Sequence, residues 1–524
     1  MTSRFGDLLS RLASSGNLAD RREVNLTLAK QYVDDDRAAL SCLERAWLLG
    51  ERSLPVAREL TAKLVKVGRV QDALDRLREA GFDAIRRNDP HDLARALIHF
   101  GDTAHEFDRP MQDDLLCRAT IDFLKPHRRR LGNADTAYQG DRDVGGPAIQ
   151  PPRLRIGCVL WLDDQSEPVI NAIPVELIAH HDREAFAWRF YSLFSEHEAV
   201  TGNPKFTAMI RDIRARGAVY VPNSEGGTSF ERVKRVADRI VDDEIDVLIL
   251  LCQFPSHFLL AALRPAPLLL GLNCAVADTN SSIALDGLLS GLRQTLSESL
   301  CDATLTTPSY TALAGKAVTP NPRASLEIPL EAPLVVTSGR RWKFADPRFW
   351  TTLQSALRAR EQLHVIVIGL TAEELAGFGI ELDPVLARRL RLLGFRTDFR
   401  ELVAMGDIYL DTFPVGGGYA MFEAITLGLP CVFYRADPRR LASFRTNYSP
   451  IADLSDDPDI ALERDDGEAC LEKLLSLSDT SDERQRTAKS QRHLLDARPD
   501  NATYMREIEA TILHYWRAAG SRLG

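Results

Sequence analysis

The chain reads as an α/β protein of two successive doubly wound domains preceded by an all-helical module, and three observations predict this. Over residues 5–125 the apolar side chains recur at helical spacing, with no strand-like alternation. From Leu154 the pattern changes to short, nearly continuous apolar runs separated by amphipathic stretches, which is what a parallel sheet covered on both faces requires. From Pro333 a second set of such runs begins. At 524 residues the chain is too long for one hydrophobic core, and 45% hydrophobic with 27% charged residues is ordinary for a globular protein rather than a disordered one.

In residues 1–130, the stretch 38–68 carries Ala39, Leu40, Leu43, Ala46 and Trp47, then Leu60, Leu64 and Val67 before a break at Gly68 and Arg69. Ala73, Leu74, Leu77, Ala80 and Gly81 follow, and residues 97–123 read as one more hairpin with Gly101 and Asp102 between its arms. Paired amphipathic helices with small residues at their crossings resemble tetratricopeptide (TPR) repeats. A plain helical domain capping the next one is the alternative reading. Residues 131–152 are polar, rich in Gly and Pro and without periodicity, which marks a linker. The Arg128, Arg129, Arg130 run just before it reads as a solvated face.

The first α/β domain, residues 153–332, shows the runs LRIGCVLW, FAWRFYSLF, AVYVP, DVLILLC, PLLLGLN and DATLTT, with an amphipathic stretch at 229–243 between two of them. The second, residues 333–524, shows PLVVTS, LHVIVIG, LRLLGF, DIYLDTF and PCVFY. Ligands of such folds bind outside the carboxyl ends of the strands. A terminal helix over 504–519 is of a kind that packs back across the domain junction.

The bulk numbers exclude several function classes. With 65 Lys and Arg against 74 Asp and Glu, the formal charge of −9 argues against nucleic acid or an anionic membrane as the main partner. The eight cysteines form no CxxC pair and have no His at zinc-ligand spacing, so neither a disulfide framework nor a metal site is expected. The first residues lack the apolar core of a signal peptide and no apolar stretch is long enough to span a bilayer, so a reducing cytoplasm is the expected compartment.

The most informative segment is DIYLDTFPVGGGYAMFEAITLGLPCVFY at 407–434. A strand ends near Asp411, Gly416, Gly417 and Gly418 allow close backbone approach, a helix starts near Tyr419, and a strand follows Pro430. Free N–H groups and the positive dipole end of a helix start suit a diphosphate. Glu423, about one turn into that helix, is placed to accept hydrogen bonds from ribose hydroxyls; a solvated glutamate after a tight turn is the plainer reading.

This segment resembles the donor-binding region of two-Rossmann (GT-B) glycosyltransferases, and most closely that of the O-GlcNAc transferase family. Supporting strings are ALRPAP at 262–267, RWKFADP at 341–347, LASFR at 441–445 with Phe444 interrupting the family's Leu-Ala-Ser-Arg, and RIGCV at 155–159 with Ile173 and Pro174 closing the following loop. The chain is also similar to the cytoplasmic bacterial Asn-glycosylating adhesin transferases, through Phe413, Pro414 and Gly416, residues 426–429, and residues 346–349. The resemblance implies a GT-B fold behind TPR-like helices and an inverting, metal-independent transfer. The sugar would come from a nucleotide-sugar, UDP-linked, and go to a protein side chain, Ser/Thr or Asn, with the helical module selecting the protein acceptor. No further cofactor is implied.

By the same resemblance, Lys343 stabilises the leaving diphosphate, Arg396 lies near the base or phosphates, and Gly416, Gly417, Gly418, Tyr419, Ala420 and Glu423 surround the nucleotide. The chain departs from the family in three places. Gly417, Gly418, Tyr419 and Ala420 replace Gly-His-Thr-Thr, Glu423 replaces Asp, and Ser166, Glu167 and Pro168 replace Asn-His-Pro. Glu167, aligned with the family's histidine, is the first candidate base; Asp163, Asp164 and His257 are the others on the acceptor side. Transfer to a small molecule or glycan, or a catalytically weak scaffold, remain the alternatives.

Overall fold

The computed structural model describes residues 18–32, 35–106, 113–129, 153–160, 168–202, 205–251, 255–273, 284–290, 318–320, 323–413, 416, 419–434, 460–462, 467–497 and 500–523. Six helices come first: α1 (Leu18–Gln31), α2 (Asp36–Leu48), α3 (Leu54–Lys66), α4 (Val70–Arg86), α5 (Pro90–Glu106) and α6 (Asp114–Leu124). Local chemistry sets their ends. The Asp35 carboxylate accepts from the Arg37 and Ala38 N–H groups to cap α2, a proline sits in the first turn of α3, and the chain leaves α3 through Gly68 at φ 78°. Leu43, Trp47, Leu60, Leu64 and Leu77 form a buried core between these helices, and the Trp47 indole N–H donates to Glu79 at 2.7 Å, tying α2 to α4.

Two details differ from expectation. Gly101 and Asp102 do not make a turn but lie inside α5, where Gly101 is buried, since a single glycine lowers helix propensity without ending a helix. Gly81, inside α4, admits a close neighbour: an added Cβ would meet the Leu116 methyls of α6 at 3.0 Å. The second detail is how the module ends. Ala84, Leu93, Leu97, Leu116 and Leu124 share one apolar core with Phe230, Val236, Phe258 and Leu259 of the next domain. Arg128, expected on a solvated face, donates to the Ala262 carbonyl at 3.0 Å, and Arg129 pairs with Asp242 at 2.8 Å. The latter half of the module therefore caps the α/β domain behind it.

The first sheet contains β1 (Leu154–Leu160), β2 (Phe186–Ser192), β3 (Val219–Val221), β4 (Val247–Leu251), β5 (Leu268–Asn273) and β6 (Gly287–Ser290), in the order β3-β2-β1-β4-β5-β6. All its pairings are parallel. Helices α7 (Pro168–Leu177), α8 (Glu196–Gly202), α9 (Lys205–Ala215), α10 (Ser229–Asp242) and α11 (Pro255–Leu263) connect these strands. Ile173 and Pro174, expected in a loop, lie in α7, with Pro174 inside the helix. The sixth strand is the short GLLS segment, which its glycine and length disguise; the expected strand DATLTT lies outside the described residues. The ALRPAP string is a structural clasp: Arg264, at φ 49°, pairs with Asp286, whose carboxylate also accepts the Leu269 N–H at 2.8 Å.

The second sheet contains β7 (Leu334–Ser338), β8 (His364–Ile368), β9 (Leu390–Leu392), β10 (Ile408–Leu410) and β11 (Cys431–Val432), in the order β11-β10-β7-β8-β9 and again parallel. Its helices are α12 (Pro347–Ala359), α13 (Ala372–Gly377), α14 (Pro384–Ala387), α15 (Phe399–Ala404), α16 (Tyr419–Thr426), α17 (Gly467–Asp479) and α18 (Ser481–Asp496). At the β11 edge the Gln491 amide of α18 substitutes for a strand, accepting from the Cys431 N–H at 2.8 Å and donating to its carbonyl at 2.7 Å.

The terminal helix α19 (Asn501–Leu523) crosses back, as expected. Its Tyr504, Met505, Ile508, Ile512 and Tyr515 enter the core of the first sheet, and Tyr515 packs so closely on β6 that a Cβ at Gly287 would lie 2.5 Å from its ring. Among the described residues no helix is long and apolar enough to cross a membrane.

Candidate functional site

In the second sheet, β7 lies at the centre: the chain winds outward through β8 and β9 on one side, then returns to β10 and β11 on the other. The reversal opens a crevice between the carboxyl ends of β7 and β10, the place where doubly wound sheets take their ligands. Both flanks carry residues singled out by sequence.

The β7 flank is a single turn of 3-10 helix at Arg341–Phe344. Phe344 is fully buried against Phe349 and Trp350, and the Trp350 indole donates to its carbonyl at 2.8 Å. Asp346 accepts the Arg348 N–H at 2.8 Å and Pro347 opens α12, which fixes the exit from the turn. With Phe344 anchored inward, its neighbour Lys343 extends across the crevice, and its Nζ donates to the Gly416 carbonyl at 2.6 Å. The ammonium also lies 5.5 Å from the Trp342 ring centroid.

Backbone approaches backbone on this face. Gly369, at the end of β8, has φ 95°, and a Cβ there would collide with the Gly339 carbonyl oxygen. The Gly339 N–H donates to Ile368 at 3.1 Å and the Gly369 N–H to Gly394 at 2.7 Å, so the exits of β7, β8 and β9 are laced by glycines. Sequence reading missed this seam, although the apolar runs of β7, β8 and β9 are each followed within two residues by a glycine.

On the β10 flank, Asp411 and Thr412 are buried at the strand end, Gly416 follows, and Tyr419 and Ala420 open α16. Gly417 and Gly418 lie outside the described residues. Glu423, one turn into α16, is 8% exposed and forms an ion pair with Arg400 of α15. Burial pushes the Glu423 carboxyl above its ordinary range and the Arg400 guanidinium pulls it partly back. Arg400 was not among the sequence candidates. Arg396, which was, sits beyond β9 in a two-bond pair with Asp398 at 2.8 and 2.7 Å, directly after Phe395, whose side chain is 89% exposed.

On the acceptor side, Asp163, Asp164 and Glu167 lie outside the described residues, as do Ser443 and Arg445. His257 lies on α11 and is 1% exposed. Burial drives its pKa down to about 4, opposed by the Val159 carbonyl, so it is a neutral core group near pH 7. Among the described residues no group of three or more His, Cys, Asp or Glu side chains is arranged to hold a metal.

The fold and the crevice define a two-sheet architecture of the GT-B type carrying a helical module at its N-terminal side. The particular likeness is to an O-GlcNAc transferase. A lysine variant of the Thermobaculum terrenum enzyme superposes with a TM-score of 0.58 at 20% identity, covering 99% of this chain and 96% of that one. The chain thus has the fold of the family to which its motifs pointed. A lipopolysaccharide outer core galactosyltransferase, WaaB, matches at a TM-score of 0.44 and 13% identity over 69% of this chain and 99% of its own, too distant to bear on function. No family model and no curated protein matches the sequence.

Proposed function

We propose that the chain is an inverting, metal-independent glycosyltransferase that moves a sugar from a UDP-linked nucleotide-sugar onto a protein side chain, Ser/Thr or Asn. One observation carries this reading: the Lys343 ammonium lies on the Gly416 carbonyl across the β7–β10 crevice, at the loop that leads into α16.

As the bond between the anomeric carbon and the diphosphate breaks, negative charge builds on the departing phosphate oxygen. A lysine and a helix start aimed at that position stabilise it without a metal, because fixed donors in a partly dry crevice need not reorganise as the charge develops. Attack from the opposite face of the sugar needs a group to take the acceptor proton. Glu167 is assigned that task, with Asp163 and Asp164 next, since His257 is enclosed in the core. Glu167→Gln is expected to lower turnover about 100-fold with little change in nucleotide affinity; unchanged turnover removes it from the mechanism. The protein acceptor is assigned to the surface that α1–α6 leave exposed, because their inner faces are occupied by the module's own core and by the core shared with the first α/β domain.

The test is direct. Pure protein incubated with a panel of nucleotide-sugars should release nucleoside diphosphate from one of them, with chelator present as well as absent. Release from none, with or without added acceptor protein, overturns the assignment.

A further inference from the structure

Glu423 faces a different partner from the one a free ribose-binding carboxylate would have. Its carboxylate is paired with Arg400, which stands on α15 after β9, whereas Glu423 stands on α16 after β10. The pair therefore bridges the exits of two strands that are separated in the sheet by β7 and β8. The Arg400 side chain is 25% exposed and that of Glu423 10%, so both are largely withdrawn from water and a lone carboxylate there would be costly to keep ionised.

We propose that Arg400 is a positioning residue that holds the Glu423 carboxylate ionised and turned toward the ribose diol of the bound nucleotide. Glutamate is one methylene longer than aspartate and has one more torsion to fix. Arg400 Nε forms its ion pair with one carboxylate oxygen, Oε1, and the other oxygen is the one assigned to a sugar hydroxyl. The proposal rests on the nucleotide reading above and adds to it the residue that sets affinity for the nucleoside half of the donor.

The surroundings identify Arg400 as the group that controls Glu423. α16 packs against α15, α18 and β11. α15 also carries Glu401; α18 sends Arg492 to the Thr426 carbonyl at the far end of α16, at 3.3 Å; β11 places the Cys431 thiol against the Met421 and Leu429 carbonyls. Burial favours the protonated carboxyl and Arg400 opposes it. Removing Arg400 leaves burial unopposed, so protonation of Glu423, and with it loss of the acceptor for the ribose, sets in at higher pH than in the wild type.

Calorimetric titration of the full chain with UDP and with pyrophosphate, in wild type, Arg400→Gln, Arg400→Lys and Glu423→Gln, separates the outcomes. At neutral pH Arg400→Gln is expected to lose about tenfold in UDP affinity, the worth of one hydrogen bond to a charged group, with pyrophosphate binding unchanged. Its UDP affinity should fall on acidification from a higher pH than that of the wild type, Arg400→Lys should restore most of the wild-type profile, and Glu423→Gln should be weak and flat with pH. Equal losses for UDP and pyrophosphate, or parallel pH profiles for wild type and Arg400→Gln, overturn the role of Arg400 while leaving nucleotide binding in place. A wild type that binds neither ligand overturns the nucleotide reading itself. Should Arg400→Gln fail to give a cooperative thermal transition, the Arg400→Lys profile decides, since it keeps the charge.

Discussion

Among the described residues, the carboxyl ends of the two sheets are finished differently. In the second sheet, glycines at 339, 369 and 394 bring backbones together, Lys343 reaches across the crevice, and a helix opens beside it. In the first, the exits of β2 and β3 are closed by contacts among themselves. Ser195 and Glu198 cap each other, Arg232 pairs with Glu198 at 2.6 Å, and Asn223 donates to the Leu193 and Arg232 carbonyls. That end then carries α10 and α11 into a core shared with the helical module. Two copies of one topology thus differ where they are described: the second sets a lysine and a helix start across a crevice, and the first packs the helices that follow β3 and β4 against the helical module.

The largest effect should come from breaking the docking side. Leu116 is fully buried where α6 meets α4 and the first α/β domain. Leu116→Ala is expected to cost about 3 kcal/mol in unfolding free energy while leaving UDP affinity of the folded protein unchanged. Denaturant titration beside calorimetry checks both halves of that statement, and loss of UDP affinity in the folded variant would show that the two sides are coupled.

A smaller effect concerns acid. The folded His257 has its pKa lowered from 6.5 to about 4 by burial. The unfolded chain therefore takes up a proton below about pH 6.5 that the folded chain refuses until about pH 4, and stability present above that window is lost as pH falls through it. Between pH 7 and pH 5 this one residue should remove about 2 kcal/mol, and His257→Leu should lessen the dependence. Denaturation midpoints at the two pH values test it; identical acid sensitivity in the variant would place the titrating group elsewhere.

The smallest effect is expected at Arg396. Its pairing with Asp398 joins an exposed side chain to a partly exposed one, and such surface pairs contribute about 1 kcal/mol or less. Arg396→Ala should leave the melting temperature nearly unchanged and shift UDP affinity by no more than about threefold. A loss as large as that of Lys343→Ala would move the nucleotide toward β9 and Phe395.

How much of this was legible in the sequence follows from what each feature depends on. Strands buried on both faces must be apolar along their whole length, so ten of the eleven described strands were announced by their own residues. β6 was not, because its pairing is secured by Asp286 and its packing by Tyr515, from elsewhere in the chain. Gly101 was misread as a turn because a glycine that ends a helix and one that lies inside it look alike in sequence. At the site, Lys343 and the glycine loop were visible because their chemistry is local to short strings. Arg400 was not, since a pair between residues 23 positions apart exists only once β9 and β10 have been placed in the sheet.

The β7–β10 crevice is proposed to bind a nucleoside diphosphate through Lys343. Titrating UDP into the wild type and Lys343→Ala under identical conditions tests it most directly. Measurable binding to the wild type is expected, with a loss equivalent to about 2–3 kcal/mol in the variant, the worth of a charge-assisted contact to phosphate, and an unchanged thermal transition. Equal affinity in the two proteins would contradict it.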